Sequence, residues 1–121
     1  MYLQKLYDEF VLCWIKCNQI RDTLKEDYLN GKEKELDILC NRFLNEFLPL
    51  SCEEMKMFYN YLYSQEMFLS DKRDNLIDNG KKLSCEDTYR LFIYHRTINY
   101  VKSTIAQKEK EKNLVKLIKQ L

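Results

Sequence analysis

Residues 83–105 read LSCEDTYRLFIYHRTINYVKSTI, and the fold class follows from how this stretch is read. Ser84 with Asp87 three positions on approximates a capping box, in which a hydroxyl and an acid satisfy orphan backbone N–H groups. Glu86 and Asp87 also place negative charge at the positive end of the helix dipole. Leu91, Tyr94, Ile98, Val101 and Ile105 then recur at spacings of three and four. That is the seam of a helix lying along a partner helix. Neither Pro nor Gly follows Gly80, so nothing obliges this helix to stop early. After Ile105 comes a solvated run, QKEKEKN, before Leu114, Leu117, Ile118 and Leu121 resume an apolar edge.

Working outward, the same grammar recurs upstream. Ser51 with Glu54 is a full capping box, and Met55, Phe58, Tyr59, Leu62 and Leu69 give the helix it opens a buried side. That helix is expected to be long, with a kink near Ser70 as an option, and to close at Asn79-Gly80. Pro49 ends a shorter helix over 32–48, with Leu36, Leu39, Cys40, Phe43, Phe47 and Leu48 inward. A first helix is expected over 2–29, with a stripe of Leu6, Phe10, Cys13, Cys17, Ile20, Leu24 and Tyr28, widened by Leu3, Tyr7 and Trp14. Asn30-Gly31 is read as its cap and turn. LSCEE at 50–54 and LSCED at 83–87 echo each other. Two helices that start with the same capping chemistry account for the echo without a repeat array, which needs about three copies.

Composition agrees. In 121 residues there are two Gly and one Pro, too few for a hairpin-rich all-β chain. A single Ala means that packing, more than intrinsic propensity, must hold the helices. Nine Tyr and six Phe are available for that packing. Short connections favour antiparallel neighbours, so the expected architecture is an all-α antiparallel four-helix bundle with a long C-terminal helix, residues 1–121 forming one domain. The other arrangement weighed is a three-helix core whose last helix projects to pair with another subunit. Five Cys without a recognisable signal sequence suggest a reducing, cytoplasmic setting.

Formal net charge is only +1, but it is unevenly spread. Residues 1–79 carry ten basic and fifteen acidic groups, and residues 80–121 carry ten basic and four acidic. A basic C-terminal half can mark an anion-binding surface, or simply balance the acidic half.

Arg90 and His95, four residues between them, are the one pair with a catalytic look. The spacing resembles the R-x4-6-H motif of HEPN-type ribonucleases, small all-helical domains that commonly dimerise. That resemblance implies metal-independent RNA cleavage, with His95 moving the 2′-hydroxyl proton and Arg90 stabilising phosphate charge. It covers six residues, and Leu91 stands where the family usually has a polar residue. Read on the helix alone, His95 is expected half-buried beside the stripe and Arg90 solvent-facing.

Cys13 and Cys17, one turn apart, lack the knuckle spacing of structural zinc, so neither a metal site nor a cofactor is expected. Alternating Tyr59, Tyr61 and Tyr63 cannot all face a core, and Tyr favours interfaces. The functional expectation is therefore a non-enzymatic helical regulator or adaptor that binds another macromolecule, a protein rather than a membrane. Tyr61, Tyr63, Arg96, Tyr100, Lys102, Lys108, Lys110 and Lys112 are the candidate binding residues. Homodimerisation through the last helix is one form this could take. The alternatives are the ribonuclease, or a nucleic-acid binder using residues 80–121.

Overall fold

A computed structural model describes residues 2–21 and 26–121 of the chain. They form four helices, with no strand among the described residues: α1 (Tyr2–Arg21), α2 (Glu26–Phe47), α3 (Cys52–Asp78) and α4 (Cys85–Gln120). The all-α class and the long C-terminal helix are as the sequence predicts. Two compact units divide the chain, Met1–Pro49 and Leu50–Leu121.

In the first unit α1 and α2 run antiparallel. Tyr7 meets Phe43 with ring centroids 5.5 Å apart, and Arg21 pairs with Glu33 at 3.1 Å, so residue numbers descend on one helix as they rise on the other. Leu3, Leu6, Tyr7, Val11, Cys13, Ile15 and Cys17 are buried, a wider arc of α1 than the expected stripe. Phe10 and Ile20 are only half-buried, while Val11 and Ile15 are core residues that the stripe omitted. Leu24 and the side chain of Tyr28 lie outside the described residues. On α2, Phe43 and Phe47 are buried and stack at 5.5 Å, whereas Leu48, expected inward, is exposed.

The boundary between these helices is not where the sequence suggested. Asn30-Gly31 is no cap or turn but part of the second turn of α2, and α1 has already ended at Arg21. A helical Gly costs only about 1 kcal/mol against Ala, which flanking packing readily outweighs. Gly31 has open space where a Cβ would stand. Gly31→Ala should therefore raise stability by about 0.5–1 kcal/mol, measured as a shift of the urea midpoint.

The second unit is an antiparallel pair, α3 on α4. Lys72–Asp87 at 2.8 Å, Glu66–His95 at 3.3 Å and Lys56–Glu109 at 2.7 Å fix its direction and register. Met55, Phe58, Leu62 and Leu69 from α3 are buried, as are Ile93, Tyr94, Thr97, Ile98, Val101 and Ile105 from α4. Leu91, expected in the seam, is half-buried.

The caps behave as their chemistry dictates. Ser51 and Glu54 form the reciprocal box. Ser84 Oγ accepts from the Asp87 N–H at 3.1 Å, and the Asp87 carboxylate is bonded across to Lys72 on α3. Helix α3 passes Ser70 without a break. It closes where Gly80, at φ 71°, donates to the Ile77 carbonyl and Lys81 to that of Leu76, a Schellman motif that only a left-handed residue allows.

The hydrogen bond and charge of Lys72 hold the Asp87 carboxyl below its ordinary value, against the opposing effect of burial. A carboxyl depressed in the folded state adds stability above its unfolded pKa of about 3.9, and loses it as pH falls through the lower folded value. Lys72→Met should therefore flatten part of the acid limb of the thermal midpoint between about pH 5 and pH 2. An unchanged limb would remove this pair as a source of acid lability.

Candidate functional site

The chemistry-bearing residues of α4 sit on different meridians of the helix. Arg90 is four residues before the buried Tyr94, so it stands on the core seam and is half-buried. Its Nη2 donates to Glu86 Oε1 at 3.1 Å, and its buried Nε finds no hydrogen-bond partner among the described residues. Burial pulls the guanidinium down, but bonding and charge from Tyr94 and Glu86 outweigh it and leave Arg90 above its ordinary value.

His95 is the opposite case. Its side chain is 63% exposed, with Nδ1 at 3.3 Å from Glu66 Oε1 and Nε2 at 3.5 Å from the Asn99 amide nitrogen. The expected roles are thus exchanged: the arginine is the inward residue and the histidine the outward one. Five residues separate them, about 140° around the helix. The ring borders a shallow cleft of about 360 Å³ that Glu66, Ser70, Arg73, Thr88 and Phe92 also line, and Arg90 is not among its walls.

The eight candidate binding residues do not form one surface. Tyr61 is half-buried, its ring 6.0 Å from Phe58. Tyr63 is exposed and stacks on Tyr59 at 6.2 Å. Arg96 lies over the Phe92 ring at 5.6 Å, and Tyr100 continues that ridge one turn on. Lys102 is exposed, but two residues from Tyr100 means about 200° around α4. Lys108 is half-buried and donates to the Leu50 carbonyl. Lys112 borders a hollow with Ser51, Cys52 and Glu53 at the start of α3. Lys110 is exposed on the same outer face as Arg96 and Tyr100.

What the candidate set omitted is the aliphatic side of the end of α4. From Lys110 through Leu121 every residue is exposed, although the helix runs on to Gln120. Leu114, Val115, Leu117, Ile118 and Leu121 are between 49% and 99% exposed. Val115 apart, they are not a continuation of the core stripe. Extended at the same three-four spacing, the Tyr94–Ile98–Val101–Ile105 seam meets Lys108, Lys112, Val115 and Lys119. Leu114 stands nine residues past Ile105, about half a turn away in azimuth. The aliphatic edge of the tail therefore faces outward, away from α3. Its signal in the sequence was the row of lysines on the core meridian.

Cys13 and Cys17 are structural in character. Cys13 Sγ lies 3.7 Å from the Lys32 carbonyl, and burial pushes its thiol up to about 11 and that of Cys17 up as well. Protonated thiols are poor nucleophiles and poor ligands. Among the described residues, no three His, Cys, Asp or Glu side chains are grouped to hold a metal ion. No described helix is long and apolar enough to cross a membrane. No protein-family model matches the chain, and no curated protein and no solved structure matches it either.

Proposed function

We propose that this protein is a non-enzymatic helical regulator or adaptor that works by docking another protein onto the outer face of α4. The observation that carries the reading is the α4 tail, a helical segment whose aliphatic residues are turned to solvent. Leu114, Leu117, Ile118 and Leu121 follow the spacing by which helices anchor in apolar grooves. Arg96 and Tyr100 extend the face with residue types that interfaces favour. The full chain, tagged and recovered from its native host, should retain a specific protein partner that the Leu117→Lys variant loses. Equal recovery by both chains would sink the reading.

A ribonuclease is the second reading, because His95 is accessible and the Glu66 contact can orient its ring. RNA cleavage in the presence of chelator, lost in His95→Ala and absent on DNA, is the expected behaviour of such an enzyme. Intact RNA after incubation with wild type removes it.

A further inference from the structure

We infer that the occupant of the outer face of α4 is a second copy of the same helix, packed antiparallel, so that the aliphatic tail of one chain covers the aromatic ridge of the other. This inference rests on the docking reading and names its partner.

The outer face carries a heptad of its own. Arg96, Tyr100, Ser103, Gln107, Lys110, Leu114, Leu117 and Leu121 alternate at spacings of four and three, the pattern of a two-helix seam. Its ends carry large side chains and its middle is small or polar. Phe92, Arg96 and Tyr100 form the aromatic end, with Phe92 at 54% and Tyr100 at 43% exposed. Leu114, Leu117, Ile118 and Leu121 form the aliphatic end. A two-fold axis between Gln107 and Lys110 sets Leu117 against Tyr100, Leu114 against Ser103 and Leu121 along the stem of Arg96, each pair occurring twice. Such self-complementarity is what an isologous interface requires.

The middle of the seam borders a shallow depression on one side. Tyr100, Ser103, Thr104, Gln107, Lys108 and Glu111 line it, and its volume is about 470 Å³. In the antiparallel register Leu114 and Leu117 of the other copy enter it as knobs enter a hole.

Area and charge select this arrangement over its rivals. Side chains of these types, about half covered, each hold roughly 100 Å² in solvent. The tail alone then offers about 400 Å² per copy, short of the roughly 800 Å² per partner of a stable interface. Tail on tail is insufficient. Tail on ridge adds Arg96 and Tyr100 to the four tail residues, so that six large side chains per copy reach about 600 Å², before the polar middle is counted. A parallel pair would bury the same area, but would stack Arg96 on Arg96 and Lys110 on Lys110. The antiparallel pair puts Lys110 beside Gln107 instead, a polar layer that fixes register.

Sedimentation equilibrium of the full chain tests this. Wild type should show a monomer–dimer equilibrium. Leu117→Glu and Tyr100→Lys should each weaken it by at least about 100-fold, with the buried α3–α4 core intact because both positions are exposed. The chain carrying both substitutions should regain association to within about tenfold, since every Leu117–Tyr100 layer becomes a Glu–Lys pair. A wild-type monomer at the highest soluble concentration overturns the inference. So does a dimer indifferent to either single change, or a double variant that fails to recover. If the chain is a monomer but still loses a host partner on Leu117→Lys, the second copy is wrong and the docking reading stands.

Discussion

Replacing Phe58 by alanine lowers the stability of the α3–α4 unit by about 3–5 kcal/mol. Phe58 is 1% exposed, between the equally buried Met55 and Leu62 on the face that α3 turns toward α4. Truncating the ring forfeits its transfer free energy and leaves a void that two stiff helices can only partly close. Met57, the adjacent residue, is 59% exposed and provides the internal control. Met57→Ala should shift stability by under about 0.5 kcal/mol. Amide exchange within α3, read as opening free energy, reports both changes. Comparable effects at positions 57 and 58 would mean that the register of α3 on α4 is wrong by a residue.

The second large effect belongs to the α1–α2 unit. Phe47 is fully buried and stacked on Phe43, whose ring in turn meets Tyr7. Phe47→Ala removes one end of that row, at a cost of about 3–5 kcal/mol, including the aromatic contact of about 0.5–1.5 kcal/mol. Trp14 is the sole tryptophan and sits on α1, so its fluorescence reports this unit. The expected result is a marked fall in the denaturant midpoint of the Trp14 signal. A midpoint within error of wild type would contradict the α1–α2 packing described above.

The second half of the chain was the more legible in its sequence, and the reason is local chemistry. Ser51, Ser84, Asn79-Gly80 and Pro49 act through their own backbone geometry, so their meaning survives without knowledge of the tertiary neighbours. The Tyr94–Ile98–Val101–Ile105 stripe was equally plain, because one partner helix covers one meridian. The α1–α2 boundary was not. Gly31 is tolerated inside α2, and no Gly or Pro marks the end of α1 at Arg21. Phe10 and Val11 exchanged places between core and margin because the buried arc of α1 is too wide for a single stripe to locate.

The site was harder to read than the fold. Arg90, expected to face solvent, has a long stem that lets it stand on the core meridian while Glu86 and Tyr94 hold its head. His95 is expected half-buried because it stands one position off the stripe, but one step on a helix is about 100° and leaves the ring exposed. The outer seam was hidden by its polar centre. Ser103, Gln107 and Lys110 interrupt it, so the aromatic and aliphatic ends read as separate features until the azimuths of both are placed on one helix.

If two copies pair through the outer face of α4 as proposed, both ends of that face are covered together. Hydrogen–deuterium exchange along α4, followed as a function of chain concentration and quenched before dilution, tests it most directly. In the free chain, residues 110–121 should open easily, because a short exposed helical end is marginal in water. Raising the concentration should slow exchange at 110–120 and at 96–103 over the same range, and Leu117→Glu should abolish both responses. Exchange at 110–120 that is independent of concentration, or protection that appears in the tail without the ridge, would contradict the pairing.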